Sequence, residues 1–175
     1  MIDEASKEKI KEMFKELKNK VKIEFCYANP MHQQAYEKLG EELAELSDAV
    51  EYKMKECDAN TIKIGNAEIW GFPDGYEFLT LIEGIMMAGA GVKITPKDAK
   101  KLLELCGAEI KVFVTPTCPY CPMAAVTSFE FAFLNRKIKS KVIMANEYPE
   151  LASKYNVFAV PRDVFIQKVM ETCTS

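Results

Sequence analysis

Apolar residues recur along this chain at two spacings that take turns. Ile10, Met13, Phe14 and Leu17 fall three or four positions apart, which predicts an amphipathic opening helix over about residues 5–20. In Val21-Lys-Ile-Glu-Phe-Cys-Tyr27 every second residue is apolar, the pattern of a half-buried strand. Asn29 and Pro30 supply an N-cap side chain and a first-turn proline, and Tyr36, Leu39, Leu43 and Leu46 continue at helical spacing. Residues 49–55 read as a second strand, Asp58-Ala-Asn60 as a turn, and 61–64 and 67–70 as short strands around a Gly65-Asn66 hairpin turn. Gly71-Phe-Pro-Asp-Gly75 is a further turn, and a helix is predicted from Tyr76 to about Ala88.

Gly89 to Gly91 mark a change of unit. Thr95-Pro96 opens another predicted helix, with Leu102, Leu103 and Cys106 on its apolar face. A strand is expected over 110–114, then a helix capped by Thr117 with Ala125, Val126, Phe129 and Phe133 toward a core. A strand over 141–145, a short helix over 148–155 and a last strand over 162–169 complete the reading. Strand–helix–strand from Val21 to Lys55 returns from Ile110 to Ala145, an offset of about 88 residues that sets Phe25 on Phe113. Pro30 and Gln33 then stand where Cys118 and Cys121 recur. The expectation is an α/β chain of two tandem βαβ-type units, residues 1–90 and 91–175. Their central mixed sheets, shared or abutting, are flanked by helices.

Composition narrows the classes. The 175 residues are 49% hydrophobic and 28% charged, ample for a buried core. A net charge of -3 argues against a nucleic-acid partner. The opening helix is too charged for a signal peptide. The apolar run over 78–92 is broken by Glu83 and by glycines and falls short of the ~20 residues of a bilayer helix. A soluble, cytoplasmic protein with no membrane partner is expected.

Among six cysteines, Cys118 and Cys121 form the close pair. Cys26 and Cys106 read as small buried hydrophobes, Cys57 as ambiguous, and Cys173 as an exposed, oxidisable thiol. Cys118-Pro-Tyr-Cys121 stands where an apolar strand gives way to a helix. A helix N-terminus carries partial positive charge and unsatisfied N–H groups, which favour thiolate over thiol. Cys121, one turn on, is placed to attack any mixed disulfide that Cys118 forms. A structural zinc site would want four ligands, and the chain has one histidine and no second pair. His32 reads as a polar residue on a helix flank without a partner, Met86 and Met87 as core filling, and Trp70 as a packed aromatic. Tyr120 is expected to be exposed beside the sulfurs. No residue stands out as proton acceptor for Cys121: Val112 occupies roughly the place where an acid is often found.

Phe113-Val-Thr-Pro-Thr-Cys-Pro-Tyr-Cys-Pro122, followed by Tyr155-Asn-Val-Phe-Ala-Val-Pro161, resembles the thioredoxin superfamily. More closely the chain resembles the glutaredoxin-like protein disulfide oxidoreductases, which carry two thioredoxin-fold units in tandem. Gly71-Phe-Pro-Asp-Gly-Tyr-Glu-Phe78 and Glu42-Leu-Ala-Glu-Leu-Ser-Asp48 match such a first unit. The resemblance implies a cis Val160-Pro161 bond against the cysteine pair, with the Val160 backbone pairing an extended substrate as in strand addition. Pro119 and Tyr120 join Val160 and Pro161 as implied substrate contacts. Three departures stand out. The first unit lacks the cysteine pair and a Val-Pro segment. Its stretch from Cys57 to Ile62 is too short for a crossover helix. The second unit is trimmed after its post-proline strand, leaving apolar surface and an open edge, to be covered by the first unit or by a homodimer.

These readings predict a thiol–disulfide oxidoreductase. Cys118 attacks protein disulfides, Cys121 resolves, and no cofactor beyond the redox-active disulfide takes part. The expected partners are protein disulfide or dithiol substrates, with a thioredoxin-reductase-like flavoenzyme or a small thiol as reductant. The alternatives are an electron-relay domain feeding a peroxidase, like the amino-terminal part of the alkyl hydroperoxide reductase flavoprotein, a metal or iron–sulfur-binding module, and a non-catalytic scaffold that binds unfolded chains.

Overall fold

The structure, a computed structural model, describes residues 2–93 and 107–167. Its elements are α1 (Glu4–Phe14), β1 (Val21–Tyr27), α2 (Pro30–Leu46), β2 (Val50–Glu56), β3 (Thr61–Ile64), β4 (Ala67–Trp70), α3 (Glu77–Ala90), β5 (Ala108–Val114), α4 (Cys121–Leu134), β6 (Ile138–Met144), α5 (Pro149–Lys154) and β7 (Arg162–Gln167). The helix expected after Thr95, Cys106, Cys173 and the strand beyond Gln167 lie outside the described residues.

Local chemistry accounts for most boundaries. Asp3 accepts the Ser6 N–H and starts α1. Asn29 Oδ1 accepts the His32 N–H at 3.0 Å, with Pro30 in the first turn of α2. Helix α1 stops well before residue 20 because the chain turns to dock elsewhere. The N–H groups of Lys18 and Asn19 donate to the Gly89 carbonyl, and a Cβ at Gly89 would sit 2.5 Å from a Leu17 methyl. Glycine at position 89 therefore permits a close approach, and α3 runs on through it to Ala90 instead of stopping there.

The seven strands form one sheet in the order β2-β1-β3-β4-β6-β5-β7. β1 pairs β2 and β5 pairs β6 in parallel, each pair linked through a helix, while β1–β3, β3–β4 and β5–β7 are antiparallel. The two halves join through parallel pairing of β4 with β6, from Ala67↔Ser140 to Trp70↔Ile143. The sheet is thus shared; the first half joins at β6, and the edge expected to be covered is not the one it takes, because β7 is the last strand of the sheet among the described residues.

Register explains why this arrangement is unique. Met54, Phe25, Ile62, Ile69, Val142 and Val112 stand in one row across six strands. They face a core that also holds Tyr36, Leu43, Leu81, Ile85 and Phe129. A slip by one residue would turn each strand's apolar set to the other face. On that other face the matching row is Lys53, Glu24, Lys63, Glu68 and Lys141, alternating in charge so that neighbours attract. Helix α5 covers the second half of this face over a small core of Phe113, Ile143 and Ala152. The first half has only residues 57–60 between β2 and β3, so the same face there stays polar and open, as the short link predicts.

Candidate active site

β5 carries the chain into a loop that ends in Cys118-Pro-Tyr-Cys121. The Cys118 N–H donates to the Thr115 carbonyl at 3.2 Å and the Cys121 N–H to the Cys118 carbonyl at 3.3 Å. The sulfurs of Cys118 and Cys121 are bonded, with their Cα atoms 5.4 Å apart. Cys118 is 9% exposed and Cys121 fully buried, so an attacking or attacked sulfur is reachable only at Cys118.

Helix α4 begins at Cys121, with Tyr120 at the N-cap and no side-chain cap bond. Thr117, expected as the cap, is exposed and lies outside the helix. Residues 116–117 and 119–120 form two successive turns, closed by the Cys118 N–H on the Thr115 carbonyl and the Cys121 N–H on the Cys118 carbonyl, so the helix starts only at Cys121. Pro122 falls in the first turn, where its missing N–H costs little. Without a side-chain cap, the N–H dipoles of that first turn stay directed at the cysteine loop.

The Val160–Pro161 bond is cis, and β7 follows at once. Its register sets Arg162 opposite Phe113, so the next position brings Pro161 to Val114, where β5 enters the cysteine loop. Val160 is half-buried and packs against the core that contains both sulfurs. Tyr120 is 71% exposed and Met123 equally so, and Phe158, two residues before Val160, is 93% exposed. Pro119 is also exposed. The residues expected around the sulfurs are therefore brought to one end of β5.

The first half contributes a contact that sequence reading missed. The Tyr76 N–H donates to the Pro116 carbonyl at 3.0 Å, and Gly75 (φ +59°) places its Cα so close that a Cβ would lie 2.3 Å from that carbonyl oxygen. Glu77, next in the chain, is fully buried. One of its oxygens accepts the Thr80 hydroxyl at 2.8 Å, and the other has no hydrogen-bond partner. Burial pushes its carboxyl up to about 7. The available signal in the sequence was an acid opening an otherwise apolar helix, which is ordinarily read as a complement to the helix dipole. Val112 is buried in the core, so no carboxylate stands on β5 at that place. A groove of about 600 Å³ runs between α3 and α4 beside the cysteines, lined by Tyr76, Leu79, Met86, Pro119, Pro122 and Met123 among others.

Several smaller expectations change. His32 is buried and has partners: its ring nitrogens meet Asn29 Oδ1 at 3.1 Å and Glu147 Oε2 at 2.8 Å. Glu147 also accepts the Phe72 N–H at 2.8 Å. The place in the first half that corresponds to the cysteine pair is thus filled by a carboxylate from the β6–α5 turn. Cys26, expected as a buried hydrophobe, is half-exposed on the open face and bonded to Cys57. Trp70 is packed edge-on against Tyr148 and donates to Glu68, and Met86 and Met87 are buried, both as expected. Among the described residues no group of three or more His, Cys, Asp or Glu side chains is placed to hold a metal ion. No described helix is long and apolar enough to cross a membrane.

Residues 108–170 match the thioredoxin domain family. The chain has a thioredoxin-like fold. It is similar across 96% of its length to 92% of the N-terminal domain of the alkylhydroperoxide reductase AhpF from Enterococcus faecalis, with a TM-score of 0.85 at 17% identity. A protein disulfide oxidoreductase from Aeropyrum pernix superposes with a TM-score of 0.84 at 22% identity, over 94% of this chain and 84% of that one. A Sulfolobus solfataricus protein follows with a TM-score of 0.73 at 22% identity, covering 92% of this chain and 97% of that one. Compared by sequence with curated proteins, the chain has no match. The thioredoxin-like fold and the bonded Cys118–Cys121 pair together support thiol–disulfide exchange.

Proposed function

We propose that this protein exchanges its Cys118–Cys121 dithiol with disulfides of other proteins. The observation that carries the reading is the asymmetry of one bonded pair. Cys118 reaches solvent and Cys121 does not, and both stand at an uncapped helix start. Cys118 thiolate attacks one sulfur of a substrate disulfide and expels the other as thiolate, leaving a mixed disulfide. Cys121 thiolate then attacks the Cys118 sulfur, closes the internal disulfide and expels the reduced substrate. Tyr120, Pro119 and the Val160 backbone beside cis Pro161 line the path of an extended substrate. Glu77, a buried and half-unpartnered carboxyl, opens α3, the helix that packs against α4, and is proposed as the group that takes the Cys121 proton. A flavoenzyme or a small thiol resets the pair.

The test is disulfide reduction in insulin with single variants. Cys118→Ser abolishes turnover, and Cys121→Ser accumulates mixed disulfides through Cys118. Retained reduction by Cys118→Ser contradicts the assignment. The likeness to the N-terminal domain of AhpF favours a second reading, an electron relay to a peroxidase. A relay would reduce one peroxidase much faster than insulin, whereas a general oxidoreductase would not discriminate so sharply.

A further inference from the structure

The half that lacks the Cys-x-x-Cys pair has a disulfide of its own. Cys26 lies on β1 and Cys57 follows β2 by one residue, with Cα atoms 5.4 Å apart, inside the usual range for a bridge. Parallel register pairs Cys26 with Lys55 and Tyr27 with Glu56, and the Cys57 N–H donates to the Tyr27 carbonyl at 2.9 Å. Side-chain alternation then turns Cys26, Lys55 and Cys57 to one face. That face is the open one, because residues 57–60 leave no helix to cover it. Both cysteines are half-buried there; Cys26 pairs with Lys55 across the strands, and its sulfur lies 3.9 Å from a Glu24 carboxylate oxygen.

We propose that Cys26 and Cys57 are a second dithiol–disulfide couple, open to small-molecule disulfides and independent of Cys118–Cys121. Either thiolate attacks one sulfur of a low-molecular-weight disulfide and releases one thiol. The other thiolate attacks the resulting mixed disulfide, forms the Cys26–Cys57 bond and releases the second thiol. Two electrons pass from the protein pair to the small disulfide, and the two cysteine protons end on the released thiols.

Oxidation ties the end of edge strand β2 to β1 and fixes the start of the 57–60 turn. Asn60 ends that turn and bonds across the molecule. Its side chain accepts the Ala28 N–H at 2.8 Å, its N–H donates to the Tyr148 hydroxyl at 3.1 Å, and its carbonyl accepts that hydroxyl at 2.8 Å. Tyr148 stands at the N-cap of α5, the helix that leads to cis Pro161.

The full chain carrying Cys118→Ser and Cys121→Ser tests this apart from the exchange reaction, since that variant has lost the first couple. It is equilibrated anaerobically in glutathione buffers of graded oxidised fraction, quenched in acid, alkylated differentially and mapped by peptide mass. The expected result is that Cys26 and Cys57 lose alkylation together, in equal proportion, and appear as one cross-linked peptide pair. In Cys57→Ser on the same background, Cys26 should stop at a mixed disulfide with glutathione. The proposal is overturned if both remain alkylatable in excess oxidised glutathione, if each is glutathionylated separately with Cys57 intact, or if either is bonded to a different cysteine.

Discussion

Glu77, proposed above to take the Cys121 proton, also bears on the stability of the fold. Its carboxyl is held up to about 7 by burial, against 4.5 in an exposed chain. Between those two values the folded protein keeps a proton that the unfolded chain releases, so stability falls as pH rises through that window and levels off above it. The size of the loss is about 3 kcal/mol. Glu77→Gln removes the dependence, and urea denaturation at pH 8 should show the variant more stable than the parent by up to that amount, with little difference at pH 4. The same substitution should slow the closing of the internal disulfide about 10²-fold, the ordinary worth of a positioned proton acceptor, while leaving formation of the first mixed disulfide nearly unchanged. Stopped-flow kinetics on a model disulfide separates the two steps. The pairing of Cys118 and Cys121 and the exposure of Tyr120 were legible from spacing alone. Glu77 was not, because its proposed role depends on burial at a place more than forty residues before the cysteines in the chain, and no local pattern encodes that.

Elements explain how the halves hold one another. The Gly71–Gly75 turn and the start of α3 are pinned to the cysteine loop through Pro116, and Gly75→Ala pushes a methyl against that carbonyl at a φ of +59°. A cost of about 2 kcal/mol is expected, together with lower exchange activity, because the displaced partner is the loop that carries Cys118. Thermal unfolding and insulin reduction on one preparation check both. The second pin is Glu147. Its oxygens serve the Phe72 N–H and the His32 ring, and Glu147→Ala leaves a buried donor unpaired, at about 2 kcal/mol, read by urea denaturation. Strands β1 and β3, the hairpin at Gly65-Asn66 and helix α2 follow their alternation and caps closely, since each is specified by local chemistry. Helix α1 ends early and Thr117 caps nothing. Leu17 is claimed by a tertiary contact at Gly89, and two successive turns hold the helix start back to Cys121, so local periodicity was overridden in both places.

At the scale of the molecule, the internal repeat foretold the βαβ crossovers but not how they would combine. The parallel pairing of β4 with β6 joins segments some seventy residues apart, and either a shared or an abutting sheet satisfied the sequence. The open polar face of the first half was better marked: the brief link after Cys57 leaves no room for a covering helix, and Lys22, Glu24, Lys53 and Lys63 suit solvent. That economy exposes Cys26 and Cys57, while Cys118 and Cys121 belong to the main core, with Val160 packed against it. The central claim is that the fold holds Cys118 as an activated, reachable sulfur. The direct measurement is the alkylation rate of Cys118 in the reduced protein at pH 6, resolved by peptide mass and compared with a free cysteine peptide. Cys118 should react at least about tenfold faster than the peptide, whose thiol ionises at ~8.5. A rate at Cys118 equal to or below that of the peptide would contradict it.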